Sequence, residues 1–475
     1  MKKVFCTLII LLFLTSCTTE KKKNVVFILV DDLGWTDLGY MGSTFYETPN
    51  IDKLSNVSIQ FNNAYASGSV CSPSRAAIMT GKHPARVDIT DWIPGDHPKK
   101  RQLLGPTDLG ELPLKEITIS EVLKENGYST FFAGKWHLGK EGYFPEEQGF
   151  EINKGGHHRG TPPGGYYSPY KNPKLSDGPD GEYLTDRLTN ESIQFIDNAS
   201  SEKPFFLMLS YYTVHTPIQP NNKYIEKFKT KLKNLGIKER LPRRVEGKGF
   251  TTIDQYNPAY ASMLYSLDEN IGNLIKSLKE KGIYENTTII FTSDNGGLST
   301  LVSGYKSHSP TSVLPLRGGK GWLYEGGIRV PLLIKPANYN GQRKTISEPV
   351  VGHDFFPTIL SQVKIESSKT ITIDGYDLSP LFIENISLGR NEIYWHYPHY
   401  HGSAWTPGAA IRQGNWKLIE FYETNTTELY NLSNDISEMN DLSKKHPEKV
   451  NALRARLHEL QQSMNANSTT KNNNF

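Results

Sequence analysis

The sequence predicts an α/β fold: a mostly parallel sheet flanked by helices, then a smaller C-terminal α+β subdomain with an antiparallel sheet and a terminal helix. Three observations predict it. Short, β-rich runs that are apolar on both faces recur along the chain, as buried parallel strands do. Each run ends in a polar cluster. Helical patterns lie between the runs, and alternation of strand and helix is the signature of a parallel sheet with covered faces.

In order, Asn24–Val30 leads into Asp31-Asp32, and Ser129–Ala133 into Gly134-Lys135-Trp136-His137. Pro204–Tyr212 leads into Thr213-Val214-His215-Thr216-Pro217, and Thr287–Thr292 into Ser293-Asp294-Asn295-Gly296-Gly297. Between them, Ile119–Asn126 (closed by Gly127) and Tyr260–Lys281 (closed by Gly282) read as helices with glycine stops. Ligands of such sheets bind beyond the carboxyl ends of the strands, so the polar clusters should converge on one edge. A first, larger domain, which carries the chemistry-bearing motifs, is expected over residues 24–370. From about Ile371 the texture changes to the short pieces Glu392–His396 and Ala410–Phe421 and a polar helix from Pro447 to Met464, a subdomain over residues 371–464. The Asn/Ser/Thr-rich residues 465–475 read as a disordered tail.

The 475 residues carry 37% hydrophobic and 11% aromatic side chains, too many for a disordered chain. A net charge of +3 gives no ground for a nucleic-acid partner. It conceals a local bias, since residues 223–248 hold ten Lys/Arg against three Glu; this is either a solvated helix and loop or a contact for an anionic polymer. The opening MKKVFCTLIILLFLTSC sets two lysines before an apolar run shorter than the ~20 residues a membrane span needs, the layout of a secretory signal over residues 1–16. Leu14-Thr15-Ser16-Cys17 resembles a bacterial lipobox. That implies a lipidated Cys17 and an exported protein held at the cell envelope, outer membrane or periplasm, by a lipid anchor alone. Of the three cysteines Cys71 is then left without a disulfide partner.

Cys71-Ser72-Pro73-Ser74-Arg75 precedes Ala76-Ala77-Ile78-Met79-Thr80-Gly81. With Ser72 as N-cap and Pro73 at the first helical position, Cys71 should sit at a helix N-terminus with Arg75 one turn along. Backbone N–H groups and a guanidinium would meet there, a site for a tetrahedral oxyanion. Asp31, Asp32, Asp294 and Asn295 offer oxygen ligands suited to a hard cation, Ca²⁺ or Mg²⁺ rather than zinc. Lys135, His137, His215 and Lys320, the last in Arg317-Gly318-Gly319-Lys320-Gly321, add cations and proton-transfer groups. Each motif alone is also what ordinary caps and surface residues look like; the ordered set is specific.

On these residues the chain resembles the type I, formylglycine-dependent sulfatases of the alkaline phosphatase superfamily, arylsulfatase-like, over most of its length from Asn24 to about Glu459. Cys-Ser-Pro-Ser-Arg with Met-Thr-Gly matches the maturation signature in which the cysteine becomes Cα-formylglycine. The resemblance implies an alkaline-phosphatase-like fold and a formylglycine-generating enzyme as maturation partner. It also implies one Ca²⁺ held by Asp31, Asp32, Asp294, Asn295 and the modified residue 71. Asp294 would assist attack by the hydrated aldehyde, Lys135, Lys320 and Arg75 would stabilise sulfuryl oxygens, His215 would protonate the leaving alcohol and His137 would take the proton that releases sulfate.

For the substrate, Gly155–Tyr167 (GGHHRGTPPGGYY) carries His157, His158 and Arg159, and Tyr394–His401 is a second His/aromatic cluster. Aromatic faces and planar donors suit a sugar ring with anionic groups. His158, Arg159 and His308 are the expected substrate contacts, and the substrate a sulfated carbohydrate, with a galactose-type unit of an algal or host glycan as the specific expectation. Such a chain resembles bacterial polysaccharide sulfatases. Two alternatives remain open at this point: a phosphodiester or phosphonate monoester hydrolase of the same superfamily, and a non-catalytic, lipid-anchored glycan-binding protein.

Overall fold

The computed structural model describes residues 21–238, 242–304, 308–366, 371–383 and 386–475. The signal over residues 1–16 and the lipidation of Cys17 lie outside the described residues. Among the described residues no helix is long and apolar enough to cross a membrane.

An eight-stranded sheet forms the centre, in the order Lys344–Ile346, Ile59–Phe61, Leu332–Lys335, Thr287–Ser293, Asn24–Val30, Phe205–Ser210, Ser129–Gly134, Ile152–Lys154. Only Leu332–Lys335 runs antiparallel to its neighbours. All seven residues of Asn24–Val30 are buried, because both faces are covered. Val26, Ile28 and Val30 pack with Leu264, Leu267 and Ile271 of the helix Pro258–Glu280. Val25, Phe27 and Leu29 face the opposite layer, which holds Ala76, Ile78 and Met79 of the helix Cys71–Thr80. Alternation of side chains along a strand divides the apolar set between the two layers. The helix Ile119–Glu125 begins at Thr118 in a reciprocal capping box with Glu121.

A second, four-stranded antiparallel sheet holds Glu392–Tyr397, Gly408–Gln413, Trp416–Phe421 and Thr426–Asn431. The stretch Ala410–Phe421 is thus two strands rather than one, because Gly414, at φ 58°, lets the chain reverse after Gln413. The helix Pro447–Ser463 covers this sheet through Leu453 and Leu457. The first domain also extends past Thr370: Leu378, Leu381 and Phe382 are buried with Phe355 and Phe356 in its core.

The terminal residues depart from the sequence expectation of disorder. Thr470–Lys471 pairs antiparallel with Leu103–Leu104, and the Asn472 amide donates to the carbonyls of Lys99 and Arg101, both at 2.8 Å. Polar composition here satisfies backbone groups of another segment instead of water. The basic stretch is partly neutralised. Lys227 and Lys231 both pair with Glu47 (2.6 and 2.7 Å), and Lys229 pairs with Glu226.

Candidate active site

The register of the central strands brings the polar clusters level. Val30 lies opposite Ser293, Leu29 opposite Ser210, and Ser210 opposite Gly134, so four strands end together. The clusters are then tied to one another: Asp294 N–H donates to Val30 O (3.2 Å) and Lys135 N–H to Ser210 O (2.8 Å). Gly134, at φ 104°, makes the turn into Lys135, and a Cβ there would stand 1.9 Å from the Ser210 carbonyl oxygen. Asp32 and His137 hold positive φ values of 59° and 61°, a conformation that bulky residues adopt only when the surroundings impose it.

Cys71 opens the helix Cys71–Thr80, with Arg75 one turn along. Ser72 is not the cap; Val70 occupies that position and makes no side-chain cap bond. The Ser72 hydroxyl instead donates to His137 O (2.9 Å) and accepts from Ile93 N–H (3.0 Å), stitching the helix to two other segments. Every residue of this helix is buried. Cys71 Sγ lies 3.1 Å from Lys135 Nζ and 3.5 Å from Asp31 Oδ1. Burial pushes the thiol up to about 12 despite Lys135 and Lys320, so the unmodified side chain is a thiol, not a thiolate, at neutral pH.

Three carboxylates and three cations interleave around it. Lys135 Nζ meets Asp31 Oδ2 at 2.7 Å, and Lys320 Nζ meets Asp32 at 2.8 Å. Arg75 grips Asp294 Oδ2 through Nε (3.0 Å) and Nη2 (2.8 Å), and spends Nη1 on Lys135 O and Ser210 Oγ, both at 2.7 Å. With these donors engaged and 2% exposure, Arg75 orients Asp294 and does not face the cavity where a sulfuryl group would sit. Against the cost of burial, Lys320 holds Asp32 well below the usual carboxylate range, and Arg75 does the same for Asp294. Asp31 goes the other way: burial, only partly opposed by Lys135, pushes it up to about 8.

A carboxyl forced toward its neutral form among other acids marks a place short of positive charge. Ligand atoms of Asp31, Asp32, Cys71 and His215 all lie within 4.8 Å of one another and could hold a metal ion. Asn295 Oδ1, beside Asp32, is buried with no hydrogen-bond partner. Hard oxygen donors, an orphaned amide oxygen and an excess of acid fit a divalent cation. Asp294 stands outside the close group, bonded to Arg75 and to Asp32 N–H (3.2 Å).

Cys71, His137, His215 and Lys320 line a cavity of about 450 Å³ with Trp92, Ile93, Pro94, His158, Arg159, Gly160, Thr161 and His401. His215 Nδ1 contacts Thr216 O at 2.7 Å, which turns Nε2 toward Asp32 (3.7 Å). His137 Nε2 contacts Ile93 O at 2.6 Å, leaving Nδ1 buried and unpartnered. Donation from Nε2 makes Nδ1 the basic nitrogen. Burial, reinforced by Lys135 for His137 and by Lys320 for His215, lowers both imidazoles, His215 to about 3.

His158 and Arg159 line the cavity, while His308 is exposed and does not. The Tyr394–His401 cluster is mostly packing: Tyr394 stacks on His83 with centroids 4.0 Å apart, Trp395 donates to Ala66 O, and Tyr397 donates to Asp91. Only His401 of that cluster reaches the cavity. Trp92, Ile93 and Pro94 were not legible beforehand, because no strand-end motif marks their loop. A larger groove, about 800 Å³ between Asn50 and Gly341, contains none of the site residues.

The sulfatase family model matches residues 23–365, and a model described as the C-terminal part of N-sulphoglucosamine sulphohydrolase matches residues 319–465. Mouse Arylsulfatase J is 31% identical over 83% of this chain, which spans 64% of that protein's length. A sulfatase of Formosa agariphila is 29% identical over 94% of this chain and 90% of its own. Among solved structures, Ps i-CgsB in complex with k-i-k-neocarrahexaose superposes with a TM-score of 0.73 at 30% identity, covering 92% of each chain.

Proposed function

The chain belongs to the sulfatase family of the alkaline phosphatase superfamily, a family of sulfuric ester hydrolases, and we propose that it removes O-sulfate groups from carbohydrate units of a sulfated polysaccharide. In this reading Cys71 is oxidised to Cα-formylglycine by a formylglycine-generating enzyme, and Asp31, Asp32, Asp294, Asn295 and the modified residue 71 hold one Ca²⁺. Export and anchoring through a lipidated Cys17 belong to the same proposal. The observation that carries it is the convergence, at the floor of one cavity, of residue 71 with Lys320, His137 and His215 above a cage of three carboxylates. A thiol held near 12 is a poor nucleophile, which favours a modified residue 71 over a cysteine hydrolase. The neighbour bound to neocarrahexaose, and Arg159 and His158 on the cavity lining, support a carbohydrate substrate.

As a hydrated aldehyde residue 71 supplies an oxygen nucleophile, and a bound cation supplies charge that favours its ionised form and the sulfuryl oxygens. Lys320, lining the cavity, binds a sulfuryl oxygen directly. Lys135, fully buried, holds Asp31 and residue 71 in place. Arg75 fixes the Asp294 carboxylate, which draws the proton from the attacking group. His215 presents Nε2 to the cavity and protonates the departing alcohol, taking up its proton when the anionic substrate offsets Lys320. His137, with Nε2 donating to Ile93 O, takes the later proton at Nδ1.

Ion chromatography of sulfate released from a panel of sulfated oligosaccharides tests the reading, with Cys71→Ser as control and the mass of the residue 71 peptide as a check of modification. Sulfate release by the wild type, lost in Cys71→Ser, is expected. A preparation with the aldehyde in place that releases no sulfate, or that turns over an aryl phosphate diester with a higher kcat/KM than the matched aryl sulfate, would overturn it.

A further inference from the structure

The strand Asn24–Val30 joins two opposite edges of the molecule. Its carboxyl end delivers Asp31 and Asp32 to the active site, and its amino end lies about 20 Å away at ~3.3 Å per residue. The strand is central: four strands of the sheet stand on one side of it and three on the other. Residues 21–23 therefore leave the body from the middle of the amino-end edge. Their exit is fixed. Lys23 O accepts from Tyr128 Oη (3.1 Å), Lys22 O accepts from Asn286 Nδ2 (2.9 Å), and Lys22 Nζ donates to Asn126 O (3.1 Å). Tyr128 and Asn286 immediately precede the strands Ser129–Gly134 and Thr287–Ser293, so these bonds hold residues 22 and 23 level with the start of the sheet.

The surface around the exit is basic. Lys21, Lys22, Lys203 and Lys281 line one groove, with Glu202 as the acid among them. Lys203 meets Glu151 at 3.3 Å, whereas Lys281, like Lys22, donates to a neutral carbonyl, Asp197 O at 2.6 Å. A groove of lysines at the exit suits the anionic headgroups of a bilayer. Cys17 precedes Lys21 by four residues, and four residues of extended chain reach about 14 Å at most. A lipid on Cys17 would therefore hold this edge against the membrane. A tether so short, leaving from the middle of one edge, does not let the body turn its other edge, which carries the cavity of Cys71, His215 and Lys320, to the same membrane.

We propose that the edge around Lys21, Lys22, Lys203 and Lys281 is the membrane-facing surface of the anchored protein and that the catalytic cavity opens away from the lipid. Its substrate is then a soluble sulfated glycan of the medium, not a sulfated lipid of the same bilayer. This rests on the reading above of a carbohydrate sulfatase anchored through Cys17.

The test compares the full-length lipidated protein, in vesicles of phosphatidylethanolamine and phosphatidylglycerol, with the unlipidated Cys17→Ser chain. On vesicles, amide hydrogen exchange should slow at least about threefold in residues 21–23, 199–203 and 281–286, and stay unchanged at Trp92, Ile93 and residues 158–161. The two forms should agree within about twofold in kcat/KM on a soluble sulfated oligosaccharide, and the anchored form should turn over a sulfated galactolipid in its own vesicles no faster than the free form does. Slowed exchange in residues 158–161, unchanged exchange in residues 21–23 and 199–203, or faster lipid turnover by the anchored form would overturn the proposal. A mature chain whose intact mass shows no lipid on Cys17 refutes the anchor, and the proposal with it, whereas a lipidated chain shielded on the other edge refutes the proposal alone. A lipidated, correctly modified protein that releases sulfate from neither substrate refutes the sulfatase reading instead, and exchange still decides the orientation.

Discussion

Lys135 and Lys320 look interchangeable in the sequence, and the structure separates them. Lys135 Nζ is fully buried, 2.7 Å from Asp31 and 3.1 Å from Cys71 Sγ, and lines no part of the cavity; Lys320 lies on the cavity wall. Replacing Lys135 by Met keeps much of the volume and deletes the charge, leaving Asp31 among Asp32 and Asp294 without its main counter-ion. Breaking a buried pair in this way costs about 3–5 kcal/mol where Asp31 is ionised, above about pH 8, and less at lower pH, where the abandoned carboxyl takes up a proton. Lys320→Met opens onto the cavity, where water can reach Asp32, so the loss of stability should be smaller, about 1–2 kcal/mol. Added Ca²⁺ substitutes charge for charge, and the deficit of Lys135→Met should shrink in its presence. Thermal unfolding of both variants with and without Ca²⁺ measures this, beside sulfate-release kinetics. Lys135→Met should lose about 10²–10³ in kcat, whereas Lys320→Met should also raise KM through its missing sulfuryl contact. A Lys135→Met protein that unfolds with the wild type in chelator and keeps kcat within about tenfold would refute the reasoning.

Three other perturbations have defined outcomes. Gly160→Ala would place a Cβ 2.4 Å from the His137 ring, so kcat should fall at least about tenfold while far-ultraviolet circular dichroism is unchanged. Lys417 Nζ joins the two domains by meeting Glu325 at 2.9 Å and Glu438 at 2.8 Å with no exposure, and Lys417→Met should destabilise by about 3–5 kcal/mol in chemical denaturation. Asp268, which accepts from the N–H groups of Asn50 and Ile51, is raised by burial from 3.8 to about 6. Its folded form binds a proton more tightly than its unfolded form, so its stabilising contribution is complete below about pH 4 and is lost as the pH rises through about 6. At about 1.4 kcal/mol per unit that is about 3 kcal/mol, and Asp268→Asn should flatten the stability–pH curve in that window. An unchanged slope would show that another group sets it.

The site was legible wherever an apolar run ended abruptly in charge. The runs before Asp31, Lys135, His215 and Asp294 each bury both faces of a strand, and parallel pairing in register then leaves their ends no choice but to meet. Direction within the site was not legible. The Arg75 side chain is long enough to reach either the cavity or Asp294, and only the packed position of its helix against Ser210 and Lys135 O decides for Asp294. Ser72 has the composition of a cap yet lies inside the helix, since two other chain segments compete for its hydroxyl. The aromatic Tyr394–His401 run reads as a sugar platform because its chemistry is the same whether rings meet a ligand or one another. The final residues mislead for a related reason: asparagine reads as solvent-loving, and Asn472 is buried because its amide serves backbone carbonyls 373 and 371 positions away in the chain.

The helix that begins at Cys71 is enclosed along its whole length, and Cys71 itself is 2% exposed on the lining of a cavity of about 450 Å³, too small to take in a protein domain. A protein acting on the folded chain would have to reach that sulfur through the cavity alone. If residue 71 is modified by another protein, as proposed above, the burial of Cys71 favours a change made before the chain closes over it, and folding then acts as the deadline.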